Sequence, residues 1–405
     1  MRIGQFGKVN GISLDTIRHY MDLGLIVPEK QGGHYYFDEN CQNDLELILE
    51  LKGMGFHLNE IKMIFHYKNL GKLTDYERNV FYQSLFMDKH EKLEQEMKNL
   101  VEMQDRLQQK LDQLSTPSSD ACHTIGIDLT LLDIFRCNKC AESLTLQDGI
   151  IRNNQIVEGV LTCHCEQVYQ IESGILKVGA AMRPDNQISL LNNIPVYIQE
   201  TDPFYLENMN KGLHWSKRKL GQVDLHRKVI LELGSGVGFF LRNIYQELPE
   251  DCLYIAVDHS VERHRFLKSL LERSGSKKNL LFICADFLDI PLSNQTIDIV
   301  IDHSGTSNYS FEHEAFLLRE VESLFKFDGY LLGSYLAFKN FSHKSKIEVN
   351  YRDHFSVSSI KKNIQELKYK TIEDRISETI TKGGKYEDFF VQGEEIFSYS
   401  FFGKR

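Results

Sequence analysis

"KVILELGSGVGFFLRNIYQEL", Lys228 to Leu248, carries the reading of the C-terminal half of this chain. An apolar run, Val229 to Leu233, breaks into a glycine-rich turn and resumes as an amphipathic stretch, which predicts strand, tight turn and helix. Such a turn suits a nucleotide-type ligand, because glycine lets the backbone approach closely and a helix N-terminus offers unpaired amides. A glycine-rich turn also serves plain strand-to-helix connections, so the flanking sequence sets its weight.

The flanks repeat the strand pattern. "LYIAVDHS" ends in Asp258, "NLLFICADFLDIPL" in Asp286, and "TIDIVIDHSGTSNYS" runs from Thr296 past Asp302. A helix is expected between Phe311 and Phe325, after which "FKFDGYLLGSYLAF" turns at Gly329 into a fifth strand. Alternating strands and helices predict an α/β domain with a mostly parallel sheet and its ligand at the carboxyl ends of the strands.

Over about residues 197–405 this pattern resembles the Rossmann-like class I S-adenosylmethionine-dependent methyltransferases, with Glu232, Gly234, Gly236 and Gly238 on the family's first motif. The resemblance implies S-adenosylmethionine as cofactor. Glu232 and the glycines would hold its methionine part, Asp258 the ribose, and Asp286 with Phe287 the adenine. A dinucleotide-binding fold is the rival, but it usually spaces its second and third glycines by three, and Gly236 and Gly238 are two apart. No Asp/Asn-Pro-Pro-Tyr stretch follows the fourth strand, which disfavours nucleobase amino groups as acceptors. "DHSGTSNYSF" instead offers Asp302, His303 and Tyr309 as candidate catalytic residues, with His303 as a general base or, equally, a residue that only packs the loop. "KNFSHKSKIEVNYRDHF", Lys339 to Phe355, interrupts the alternation and reads either as a cap over the acceptor or as ordinary core.

The other end of the chain speaks a different grammar. "GQFGKVNGISLDTIRHY" predicts a helix, a turn at Asn10-Gly11 and a second helix capped by Ser13. Leu14, Ile17 and Tyr20 or Met21 recur at helical spacing and predict one buried face, leaving Asp15, Thr16, Arg18 and His19 outward. This stretch resembles the MerR family of transcription regulators through Ile3, Gly4, Val9, Thr16, Ile17, Arg18, Tyr20, Gly24, Leu25 and Pro28. The likeness continues through Gly55, Phe56, Leu58, Glu60 and Ile61, covering about residues 1–70. It implies a winged helix-turn-helix on promoter DNA, with Lys8, Ser13, Thr16, Arg18, His19, Tyr20, His34 and Tyr35 as candidate contacts. After Gly33 this chain has "HYYF" where the family wing usually offers Tyr-Arg, so a phosphate contact is in question.

From Phe86 to Leu114, positions Phe86, His90, Leu93, Met97, Leu100, Gln104, Leu107, Leu111 and Leu114 alternate spacings of four and three. That heptad seam predicts a coiled-coil helix and a homodimer, or else packing within one chain. "STPSSDA", Ser115 to Ala121, reads as a linker. Beyond it Cys137 and Cys140 form a C-x-x-C pair and Cys163 and Cys165 a C-x-C pair, four thiols that suit structural zinc better than a redox pair. The surroundings resemble a small zinc ribbon found with methyltransferases; the short second pair leaves open whether His164 replaces Cys163 or zinc has been lost. Cys41, Cys122, Cys252 and Cys284 read as isolated spectators.

The whole is expected to be multidomain: 1–72 an α winged helix-turn-helix, 73–115 the coiled-coil helix, 116–180 the zinc ribbon and 181–405 the methyltransferase domain. At 405 residues several domains are the ordinary outcome. No apolar window reaches membrane-span or signal-peptide character, and eight cysteines are too few for a disulfide scaffold, so a cytoplasmic protein with no membrane partner is expected. A net charge of −10 excludes non-specific coating of nucleic acid, and residues 1–37 carry only +1, so any DNA contact is local. The leading expectation is a MerR-type regulator whose effector half methylates or senses a small molecule. Two rivals stand beside it: an RNA methyltransferase, which the acidic charge disfavours, and a methyltransferase fold that has become a ligand sensor.

Overall fold

The computed structural model describes residues 1–71, 74–114, 123–179, 194–303 and 305–405. The expected linker at Ser115–Ala121, Cys122, and the three boundaries drawn at 72/73, 115/116 and 180/181 lie outside them. The chain divides into two compact units, Met1–Ser118 and Ser119–Arg405. Among the described residues no helix is long and apolar enough to cross a membrane.

The first unit is mostly helical: α1 (Ile3–Asn10), α2 (Leu14–Asp22), α3 (Glu39–Gly53), α4 (Leu58–Leu70) and α5 (Asp75–Leu114), with a hairpin of β1 (Glu29–Gln31) and β2 (His34–Tyr36) between α2 and α3. Gly11 ends α1 at φ 67°, in the left-handed region where a side chain would be strained, and Ser13 Oγ then caps α2 by accepting the Thr16 N–H. Ile17, Tyr20, Leu45, Ile48 and Phe65 share one core, into which Phe6 and Phe37 stack at 4.5 Å. Leu14 departs from the sequence expectation. As the first helical residue it projects past the end of that core and stays 41% exposed. The start of α5 packs on α4, where Lys89 pairs with Glu60 at 3.1 Å and lies over Phe56. No residue of α5 is buried, and its seam leucines Leu100 and Leu107 are 64% and 67% exposed.

The second unit is organised by a twelve-stranded sheet. Its centre is parallel: β8 (Val229–Leu233), β9 (Leu253–Asp258), β10 (Asn279–Cys284), β11 (Ile297–His303) and β12 (Phe325–Asn340), spatially ordered β12-β11-β8-β9-β10. These strands read as nearly unbroken apolar runs because both faces are covered, and every residue of β9 is buried. Beyond β12, β14 (Glu395–Lys404) and β13 (Lys370–Ile376) add antiparallel. On the other side β7 (Ile175–Lys177) pairs parallel with β10, and β6 (Val168–Glu172), β5 (Gln155–Thr162), β4 (Thr145–Arg152) and β3 (Ile127–Asp128) follow antiparallel. The cysteine-bearing meander is thus built into the same sheet as the glycine-rich strand.

Helices α6 (Ile194–Glu200), α7 (Pro203–Leu220), α8 (Phe239–Ile244) and α9 (Val261–Glu272) stand along the parallel centre. The helix expected between Phe311 and Phe325 is reduced to one turn, Leu317–Glu320, and a 3-10 turn, Glu322–Leu324. Three consecutive residues, Phe316, Leu317 and Leu318, are buried there, more than one face of a regular helix can cover. In the interrupting segment, Ile347 and Phe355 join Phe338, Ile380, Phe390 and Ile396 in a satellite core, flanked by Phe341 and Tyr351.

Candidate functional site

At the carboxyl end of β8 the chain turns through Gly234, Gly236 and Gly238 at φ 74°, 54° and 76°, conformations that a side chain would strain. The Gly234 and Ser235 amides both donate to Val257 O at 3.0 Å, tying the turn to β9. At Gly238, the N-cap of α8, a Cβ would come within 2.3 Å of Leu267 Cδ1. Asp258, at the end of β9, accepts the Gly236 N–H and the Ser260 N–H, each at 2.9 Å, with Arg263 Nη1 and His259 Nδ1 at 3.7 and 3.8 Å from its two oxygens.

Gly234, Ser235, Gly236 and Asp258 line a cavity of about 430 Å³, whereas Gly238, read as a cofactor contact, is not in its wall and packs toward Leu267. Glu232 lies in the cavity wall, 2% exposed, with Oε2 unpartnered; burial pushes its carboxyl up to about 8 against the opposing effect of the Tyr254 hydroxyl, and the nearby Asp258 charge adds to the rise. Ser235 Oγ and His303 Nε2, in the same wall, also lack partners. Burial holds His303 down to about 4, so it stays neutral near pH 7, with its ring edge on Phe240 at 4.5 Å.

The three residues read as catalytic come apart. His303 lines the cavity; Asp302 and Tyr309 do not. Asp302 is fully buried, pushed up to about 6 by that burial, and accepts both the N–H and the hydroxyl of Thr306 at 2.9 and 2.5 Å. Tyr309 stacks on His313 at 3.9 Å within the hydrophobic core. A single-residue alternation along the strand end accounts for this: His303 points to one face of the sheet and Asp302 to the other. Of the pair read as adenine contacts, Phe287 lines the cavity, whereas Asp286 is exposed and caps a short turn through the Leu288 N–H.

In the first unit Lys8, Ser13, Arg18, His19, His34 and Tyr35 are exposed and Thr16 is half-buried. Arg18 pairs with Asp15 at 3.0 Å, and Thr16 shares a hydroxyl contact with Ser13. Tyr20 is the exception: it is 2% exposed, with Lys52 Nζ 3.4 Å from its hydroxyl, so its ring belongs to the core and not to an outer face.

Residues 1–68 match the MerR HTH family of regulatory proteins, and residues 225–384 match a methyltransferase domain. The chain joins a MerR-type helix-turn-helix domain to a methyltransferase domain. Among curated proteins it is 32% identical over 92 residues to the HTH-type transcriptional regulator ZntR homolog of Haemophilus influenzae, covering 22% of this chain and 64% of that protein. It is 29% identical over 115 residues to the HTH-type transcriptional regulator YfmP of Bacillus subtilis, covering 27% and 80%. Similarity to the carboxy-S-adenosyl-L-methionine synthase of Helicobacter pylori is 26% over 93 residues, covering 23% and 38%. The chain therefore spans less than two thirds of the length of the first and the third of these relatives.

N-terminal to the methyltransferase match, the sulfurs of Cys137, Cys140, Cys163 and Cys165 all lie within 4.8 Å of one another, with Cys137–Cys165 at 3.6 Å and Cys140–Cys163 at 3.3 Å. A tetrahedral zinc with Zn–S near 2.3 Å requires sulfurs roughly 3.8 Å apart, so the donor set fits that ion. His164 is exposed, with Nδ1 3.7 Å from Cys163 Sγ, so the four thiols gather without it. Tyr169 adds an outer contact, its hydroxyl lying 3.4 Å from Cys137 Sγ and 2.6 Å from Asn138 Oδ1.

Sequence reasoning missed the far wall of the methyltransferase cavity. Tyr197 and Tyr205 come from α6 and α7, Arg375 from β13, Ser400 from β14, and Tyr386, Glu387 and Phe389 from the loop before β14. In a chain that is 11% aromatic, these tyrosines and the phenylalanine carry no spacing that marks a site. Arg375, an arginine inside a strand-like alternation, was the one signal on offer.

Proposed function

We propose that this protein is a DNA-binding regulator of MerR type whose effector domain binds S-adenosylmethionine and methylates, or senses, a small molecule. The observation that carries the reading is the cavity, in which Glu232, the glycine turn, Asp258 and His303 meet at the carboxyl ends of the parallel strands. Its buried unpartnered carboxylate oxygen and its glycine cradle suit a ligand with an ammonium group and a close-lying backbone contact.

S-adenosylmethionine supplies an electrophilic methyl group when bound. Glu232 would accept its ammonium, the glycine turn would admit the methionine part, Asp258 would accept the ribose hydroxyls, and Phe287 would lie against the adenine. His303, kept neutral by burial, orients the acceptor through Nε2 and is a weaker base than free imidazole. The aromatic residues of the wall would position the acceptor for attack. Four cysteines leave zinc no open position, so its part would be structural.

The exposed seam of α5 supports a homodimer, which suits a two-fold promoter site read by Arg18, His19, His34 and Tyr35. A cytoplasmic location goes with that role. The test is a calorimetric titration with S-adenosylmethionine, with Asp258→Ala as control, followed by footprinting of DNA upstream of the protein's own gene. Saturable binding lost in the variant, with protection on the DNA, supports the reading. A folded protein that binds no cofactor, or that protects no DNA at concentrations saturating control sites, refutes the corresponding half.

A further inference from the structure

The strand register of the methyltransferase domain lays one row of residues across four strands. His303 on β11 is opposite Ser334 on β12, Ser334 is opposite Ser400 on β14, and Ser400 is opposite Arg375 on β13. All four line the cavity. Neighbouring strands are about 4.8 Å apart, so the row runs ~14 Å from the histidine to the arginine backbone. It forms a polar row in a cavity that Tyr197, Tyr205 and Phe389 also line.

Arg375 is half-buried and donates from Nη1 to Lys211 O at 3.3 Å. The acids around it are engaged elsewhere. Glu373 accepts from Trp215 Nε1 and pairs with Lys219; Asp374 takes Lys361 and the Tyr399 hydroxyl; Glu378 takes Lys211. Glu387, in the same cavity, is 3% exposed and accepts the Gly384 N–H, and burial pushes its carboxyl upward. Arg218 adds like charge beside Arg375. Among the described residues no carboxylate forms an ion pair with the Arg375 guanidinium, which has five N–H donors in a fork that matches a carboxylate.

We infer that the acceptor half of the cavity takes an aromatic carboxylic acid, its carboxylate on Arg375, its ring against Tyr197, Tyr205 and Phe389, and its reacting group at the His303 end. The inference rests on the proposed reading of the cavity as a cofactor and acceptor site. An anion answers the unneutralised positive charge, and the aromatic wall selects a planar body.

The test is calorimetric titration of the full-length protein with para-hydroxybenzoate, its uncharged amide, and para-hydroxybenzylamine, with and without saturating S-adenosylhomocysteine. The benzoate is expected to bind, with the amide and the amine weaker by roughly tenfold or more, the scale of a lost charge-assisted bidentate contact. Arg375→Met is expected to remove that preference, and Arg375→Lys to restore part of it while keeping the fold. S-adenosylhomocysteine titrated alone is expected to bind both variants as it binds the parent. The proposal is overturned if the benzoate does not bind, if the amide or amine binds as well, or if Arg375→Met leaves benzoate affinity unchanged in a folded protein. Arginine-dependent benzoate binding without any S-adenosylhomocysteine binding would uphold the acid site and sink the cofactor reading alone.

Discussion

Cofactor affinity in this protein should rise steeply with pH, because burial favours the protonated form of the carboxyl proposed to receive the ammonium. Glu232 is fully buried and held at about 8 by burial and the neighbouring Asp258 charge. An incoming ammonium favours the ionised form, so binding must expel the proton whenever the solution is below that value. The ionised fraction then grows from about 1% at pH 6 to about 24% at pH 7.5, which raises affinity roughly 24-fold, or ~1.9 kcal/mol at 1.36 kcal/mol per pH unit. Staying at or below pH 7.5 keeps the ligand's own α-amino group mostly charged. Calorimetry of S-adenosylhomocysteine at three pH values, each in two buffers of different ionisation heat, reads both the affinity and the released proton. Glu232→Gln should flatten the profile and bind weakly throughout. His303, held near 4, stays neutral across this window, and Asp302, near 6, lies outside the cavity wall, so neither supplies the slope. An affinity constant within twofold from pH 6 to 7.5, with no buffer-dependent heat, would refute the reasoning.

Gly238→Ala places a Cβ 2.3 Å from Leu267 Cδ1 at a left-handed φ, so it should cost about 1–3 kcal/mol in denaturant unfolding, partly relieved by Leu267→Ala. Metal analysis of the purified protein should find one zinc per chain, and Cys163→Ser should lower both zinc content and the melting midpoint; full zinc retention in that variant would contradict the four-thiol site. Replacing Leu100 and Leu107 together by Glu should give monomers in sedimentation, each leucine contributing ~1.5–3 kcal/mol when covered. Arg18→Ala, on an exposed face, should weaken DNA binding and reduce its salt dependence by about one counterion; an unchanged salt slope would remove Arg18 from the phosphate contacts.

The backbone-scale features were legible in the sequence because they rest on local chemistry. Gly11 and Ser13 bracket α2 as turn and cap residues should, and the apolar runs ending in Leu233, Asp258 and Cys284 form the parallel strands. Glu232, Gly234, Gly236, Asp258, Phe287 and His303 meet at one cavity, as their place at strand ends suggested. What failed depended on side-chain direction. Asp302 and His303 are adjacent in sequence, yet one caps Thr306 and the other faces the cavity, and only the pleat of β11 distinguishes them. Tyr20 carries a family position but its ring serves the core. Arg375 and Ser400 reach the site through the pairing of β13 with β14, a long-range register that no local spacing encodes.

The parallel pairing of β7 with β10 has a practical bearing on how this half of the protein can be handled. Ile175, Leu176 and Lys177 cover the flank of Phe282, Ile283 and Cys284, the strand that leads into the cavity wall at Phe287. A truncation beginning at Ile194 would retain every glycine of the turn and still leave β10 as a raw, strongly apolar rim, with unpaired amides open to any extended chain. Such a fragment should form aggregates through that rim, while a fragment starting at His123 should stay dispersed. The cysteine meander thereby acts as a selvedge, the woven border that keeps a sheet from fraying into its neighbours.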